Sequence, residues 1–211
     1  MKFIKLFESF EDIHTICKEY DINDYTINSD GTIDVVGDVS LNSMNLTKLP
    51  LKFGKVDGGF YCYSNNLISL EGCTQSVSGN FECNHNKLIT LEGCPQSVGL
   101  DFDCQYNQLT TLEFCPKSVF RDFSFHYNQL KDLYGFPEFF DNDIYHHSNP
   151  VSEILNLFNT YRLGKVVDLL NEYGVIQQNG KVVILDRLEE VFHTLNMEIP
   201  KEINLENYEV Y

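Results

Sequence analysis

A chain of 211 residues has room for one or two ordinary domains, and 43% hydrophobic residues are enough to bury a core. The formal net charge of −16 is spread over both ends and the middle, so the surface repels nucleic acid and acidic membranes. No apolar run approaches a membrane span, and the first residues lack the apolar stretch and small-residue cleavage site of a secretory signal; a cytoplasmic chain is expected.

The chain opens Met1-Lys-Phe-Ile-Lys-Leu-Phe-Glu-Ser-Phe. Phe3, Ile4 and Phe7 suit the first turn of a packed helix. The same stretch resembles leaders on proteins of large contractile-tailed bacteriophages, and Leu6-Phe7-Glu8 fits the Leu-x-Glu after which such leaders are cut. That resemblance implies phage origin and packaging in the virion. Residues 9–20 carry Ile13, Ile16 and Cys17 at helical spacing, with Ser9 and Asp12 as an N-cap signature. Tyr25 to Ile27 and Thr32 to Val35, joined through Asn28-Ser-Asp-Gly31, predict a β-hairpin.

A 21-residue phrase then repeats. Phe60, Phe81, Phe102 and Phe123 head it; Cys62, Cys83, Cys104 and Phe125 follow two positions later. Asn65, Asn86, Asn107 and Asn128 come next, then Leu67, Leu88, Leu109 and Leu130, then Leu70, Leu91, Leu112 and Leu133. Weaker copies run through Val39, Leu41, Met44, Leu46 and Leu49 upstream, and through Ile144, His146, Asn149, Val151 and Ile154 downstream. A strict period of this length predicts a solenoid of six rungs, because one rung cannot bury its own apolar edge. Phe-x-Cys is a short strand of period 2, Asn breaks it, and both leucines point back inside. Cys94-Pro95 and Cys115-Pro116 turn the far side without a helix, and Val98 and Val119 close the coil.

Val98, Phe102, Cys104, Asn107, Leu109 and Leu112 occupy the pattern of the leucine-rich repeat, which this array resembles. The short period and the Cys-Pro-x-Ser-Val half are similar to the bacterial and bacteriophage type. The resemblance implies an α/β repeat fold: a leucine-rich-repeat solenoid with a parallel concave β-sheet that binds partners and does no catalysis. Bacterial effector ligases join similar repeats to a helical domain with a catalytic Cys, but no Cys follows Cys115 here.

The six array cysteines stand in two columns. A column that accepts Cys or Phe is an apolar slot, so buried reduced thiols are expected rather than disulfides or zinc ligands. After Pro150 helical spacing returns. Val175 to Ile184 predicts a second hairpin turning at Asn179-Gly180, Leu185 to Leu195 an amphipathic helix, and Pro200 to Tyr211 an extended tail. The expected organisation is an α+β cap of helix and hairpin over 1–38, the array over 39–154, and a mainly helical cap over 155–211.

Outward strand positions stack into ladders. One runs through Asp101, Asp122 and Asp143; one through Tyr61, Glu82, Asp103 and Tyr145; one through Tyr63, His126 and His147; one through His85, Tyr106 and Tyr127. Stacked like charges cost stability, and retaining them points to a cationic ligand. Exposed tyrosines beside acid suit a protein partner. His126 and His147 are neighbours, but no third ligand is evident, so neither metal nor cofactor is expected; nor does a nucleophile-base spacing or phosphate loop stand out. The expectation is a monomeric, non-enzymatic binding protein recognising a host or phage protein. The alternatives are an internal virion protein delivered by its leader and an acidic nucleic-acid mimic.

Overall fold

A computed structural model of the chain describes residues 10–158, 163–177 and 179–211. The leader motif Leu6-Phe7-Glu8 lies outside the described residues. Helix α1 (Phe10–Glu19) forms where the apolar spacing predicts and buries Ile13 and Cys17. Strands β1 (Tyr25–Ile27) and β2 (Ile33–Val35) pair antiparallel as the predicted hairpin.

The chain then coils through short strands: β3 (Val39–Ser40), β4 (Phe53–Val56), β5 (Phe60–Tyr61), β6 (Ser76–Val77), β7 (Phe81–Glu82) and β8 (Ser97–Val98). The coil continues through β9 (Phe102–Asp103), β10 (Ser118–Val119), β11 (Phe123–Ser124), β12 (Phe139–Phe140) and β13 (Ile144–Tyr145). The odd-numbered strands β3 to β13 stack in chain order as a six-stranded parallel sheet. The even-numbered strands β4 to β12 stack likewise, and the hairpin adds β2 and β1 to their edge, giving a sheet of seven. The result is a repeat solenoid of about five turns, each of 21 residues. The second sheet is a correction to the sequence reading, which expected only turns on the far side. A Ser-Val pair is too short to show alternation, and it becomes a strand only when its copy in the next turn supplies the ladder partner.

The core lies between the two sheets. Phe60, Phe81, Phe102 and Phe123 are fully buried, with successive ring centroids 5.6, 5.8 and 5.2 Å apart. Both leucine columns and Val98 and Val119 are equally buried. Each buried leucine contributes about 2–5 kcal/mol relative to alanine. All six array cysteines are buried and unpaired, as expected of apolar slots. Burial pushes their thiols up, that of Cys62 to about 12.

The asparagine column ties each turn to its predecessor. The Asn107 amide donates to the carbonyls of Cys83 and Cys104, each at 3.1 Å, and its Oδ1 accepts the Leu88 N–H at 2.9 Å. Asn65, Asn86, Asn128 and Asn149 repeat this pattern. Strand ends that would otherwise leave buried polar groups unpaired are satisfied in this way.

Beyond the array come α2 (Ser152–Leu155), α3 (Leu163–Glu172), β14 (Ile176–Gln177), β15 (Val182–Val183), α4 (Leu185–Thr194) and β16 (Glu209–Val210). The second hairpin is present, and Asn179 and Gly180 at its turn both have positive φ, as a tight two-residue turn requires. The tail is more ordered than expected: β16 pairs parallel to β15, Leu205 is buried, and the Tyr208 hydroxyl donates to the Lys131 carbonyl at 2.8 Å. That bond ties the terminal unit to the array, and the stacked Phe158 and Phe192, 4.5 Å apart, pack within the unit. Among the described residues no helix is long and apolar enough to cross a membrane.

Candidate functional site

The outer face of the six-stranded sheet collects the residues singled out from the sequence. Its first column runs Asp38, Gly59, Asn80, Asp101, Asp122, Asp143, and it has a structural job. Asp38 accepts the Gly59 N–H at 2.7 Å, and Asn80, Asp101 and Asp122 each accept the N–H of the next residue in the column at 3.2 Å. These bonds offset the repulsion between stacked carboxylates, so the aspartates alone do not demand a cation. Arg121 also approaches Asp101 at 3.7 Å.

In the second column the Tyr61 ring packs against Gly59. Its hydroxyl would be 2.5 Å from a Cβ on Gly59, so a side chain there would displace it. Partial burial raises the Tyr61 pKa, reinforced by Asp38, Glu82 and Asp101. Glu82 is raised by desolvation, with Asp103 and Asp101 adding to it and a hydrogen bond from Asn80 opposing it. Asp103 is raised by desolvation too, against hydrogen bonds from the Gln105 N–H at 3.0 Å and Nε2 at 2.8 Å. Tyr145 ends the column, exposed.

The third and fourth columns merge into one shelf of rings. His85 and Tyr106 stack with centroids 4.4 Å apart, and Tyr106 and Tyr127 stack at 4.3 Å. His126 and His147 lie 4.4 Å apart, and His147 meets Tyr127 edge-on at 5.1 Å. Desolvation lowers the His126 pKa and His147 lowers it further. His126 Nδ1 is shielded without a hydrogen-bond partner, as is Asn84 Oδ1 in the same column. Tyr63 heads that column, outside the ring shelf. Among the described residues no group of three or more His, Cys, Asp or Glu is placed to hold a metal ion.

Left-handed backbone under the shelf escaped the sequence reading. Ser64, His85, Tyr106, Tyr127 and Ser148 all have φ between 50° and 58°. The fold needs this kink in every turn, since the backbone ladder continues through it from Tyr106 N–H to the His126 carbonyl at 3.2 Å. It does not need an aromatic side chain, because serine fills the position at both ends of the column. A second such position was also missed. Gly72, Gly93 and Gly135 have φ near +85°, whereas Phe114 stands in their column at φ 67°, half exposed. Phe114 and exposed Tyr134 border a cavity of about 350 Å³, and one of about 940 Å³ opens between Lys131, Tyr134 and the second hairpin. The clue was Phe114 replacing glycine in the Leu-Glu-Gly-Cys phrase.

Searches of family models, curated proteins and solved structures match none to this chain.

Proposed function

We propose that the chain is a leucine-rich-repeat protein of the short bacterial or bacteriophage type, capped at both ends, that recognises a protein through a concave outer face of its six-stranded sheet. It is a non-enzymatic, monomeric module acting in the host cytoplasm on a host or phage protein. The observation that carries this reading is the shelf of His85, Tyr106 and Tyr127 on left-handed backbone. Non-glycine residues pay about 1 kcal/mol or more for such a backbone, and aromatics in a half-exposed stack gain little from the core in return. Aromatic anchors with exposed edges, bordered by Glu82, Asp101, Asp103 and Asp122, match the composition of a binding hot spot for a basic protein. The test is capture from infected cells with the parent chain and with Tyr106→Ser/Tyr127→Ser, which installs the residue already present at Ser64 and Ser148. A partner held by the parent and lost by the variant supports the reading. Equal capture by both places the interface elsewhere.

A further inference from the structure

The two sheets end differently at the C-terminal side of the array. The last strand of the seven-stranded sheet, β12, has α3 packed on its side chains: Gly164 meets the Phe140 ring so closely that a Cβ there would collide with it. The last strand of the six-stranded sheet, β13, has a strand neighbour on one side alone among the described residues. The repeat states what the other side lacks. In every earlier turn the N–H of the Phe column, of the Cys column and of the left-handed column donates to the following turn, as Phe123 to Asp143 at 2.9 Å, Phe125 to Tyr145 at 2.9 Å and Tyr127 to His147 at 3.1 Å. The equivalent donors on β13 and its extension are Ile144, His146 and Ser148. Likewise Asp101 and Asp122 each accept a backbone N–H from the next turn, and Asp143 is the column's last carboxylate. Ile144 and His146 are only half-buried, and Tyr145 is exposed.

We infer that β13 is a docking edge for a basic, extended segment of a partner protein, which adds in parallel as a seventh strand. The site goes beyond the ring shelf and uses none of its rings. Counting along the incoming segment, the first residue donates its N–H to the Asp143 carboxylate and accepts from Ile144. The third donates to the Ile144 carbonyl and accepts from His146, and the fifth accepts from Ser148. The second residue packs over Ile144 and is apolar. The first and third project beside Asp143 and Tyr145, with Asp122 one rung behind, so lysine or arginine fits both places through charge and cation–π attraction.

The probe is a capped peptide Arg-Val-Lys-Val-Thr, titrated into the full chain while backbone amide signals are followed by NMR. Binding should shift Ile144, His146 and Ser148 and slow their hydrogen exchange. N-methylation at the third residue, whose N–H enters the ladder, should weaken binding about tenfold. N-methylation at the second, whose N–H points away, should change it little, and Tyr106→Ser should leave it intact even if the ring shelf proves not to bind. Equal losses from the two methylations, or no binding at millimolar peptide, overturn the inference. So does slow exchange of the Ile144 and His146 amides in the free monomer, which means the edge is already covered. Self-association that protects the same amides makes a second copy the occupant and likewise overturns a basic segment.

Discussion

Tyr106 and Tyr127 stack with ring centroids 4.3 Å apart, both on left-handed backbone. Stacking requires the rungs to be in register, and the left-handed kink brings both rings to the outer face. Replacing both with serine should cost the fold about 1–2 kcal/mol, the worth of the contacts with His85, His147 and each other, partly offset by easier packing of a small side chain. The same change should weaken partner binding by about 2 kcal/mol or more. Urea denaturation and calorimetry with the captured partner measure the two effects separately.

Asn107→Ala should destabilise the fold by about 1–3 kcal/mol, because carbonyls of two turns and the Leu88 N–H lose their partner together. Asp122→Asn should be near neutral, since Asn80 does the same work in that column with its own Oδ1. A shift of the urea midpoint for the first variant and none for the second is the expected result; equal shifts contradict the register described.

Phe114→Gly should stabilise the chain by about 0.5–1 kcal/mol. Glycine already holds the equivalent left-handed position in the neighbouring turns, and the half-exposed Phe114 ring gives up little burial. A raised thermal midpoint checks this. A lowered one shows that the ring is needed beside the cavity it borders.

The inward column ends in His146, after Cys62, Cys83, Cys104 and Phe125. Its Nδ1 is shielded and unpartnered, and desolvation, with His147 adding, lowers its pKa below the ordinary 6.5. Folding therefore excludes a proton that the unfolded chain binds. The contribution is complete above pH 6.5 and is lost as the pH falls below it. His126 acts in the same sense, while Asp103 and Glu82, raised on folding, act oppositely near their own lower values. His146→Phe, copying Phe125, should flatten the stability curve below pH 6.5 without loss at neutral pH.

Cys83 and Cys104 should label with thiol reagents only as fast as the chain opens, because both thiols are buried and pushed up by burial. Labelling in the native state at the rate of an exposed cysteine would contradict their inward placement.

The solenoid itself was legible in the residues. Five columns at one period leave a single way to stack, and Phe, Cys, Asn and Leu each announce their direction by polarity. The two hairpins were legible for the same local reason, a turn of Asn, Asp and Gly between β-branched runs. Neighbours along the outer face follow from counting, so Tyr106, Tyr127, His126 and His147 group together from the repeat period alone. Other features needed the third dimension. The second sheet exists because Ser97-Val98 and its copies find ladder partners only in adjacent turns. The hydrogen-bonding task of Asp101 and Asp122 depends on backbone from the next rung, which turns an apparent repulsion into a built contact. Left-handed φ at Tyr106 leaves no mark in side-chain chemistry, and at Phe114 only the glycines of its column betray it. The seat of α3 on the Phe140 ring, beside a β13 that ends its sheet among the described residues, belongs to the tertiary structure, because a helix's own period says which face it buries but not which strand that face will meet.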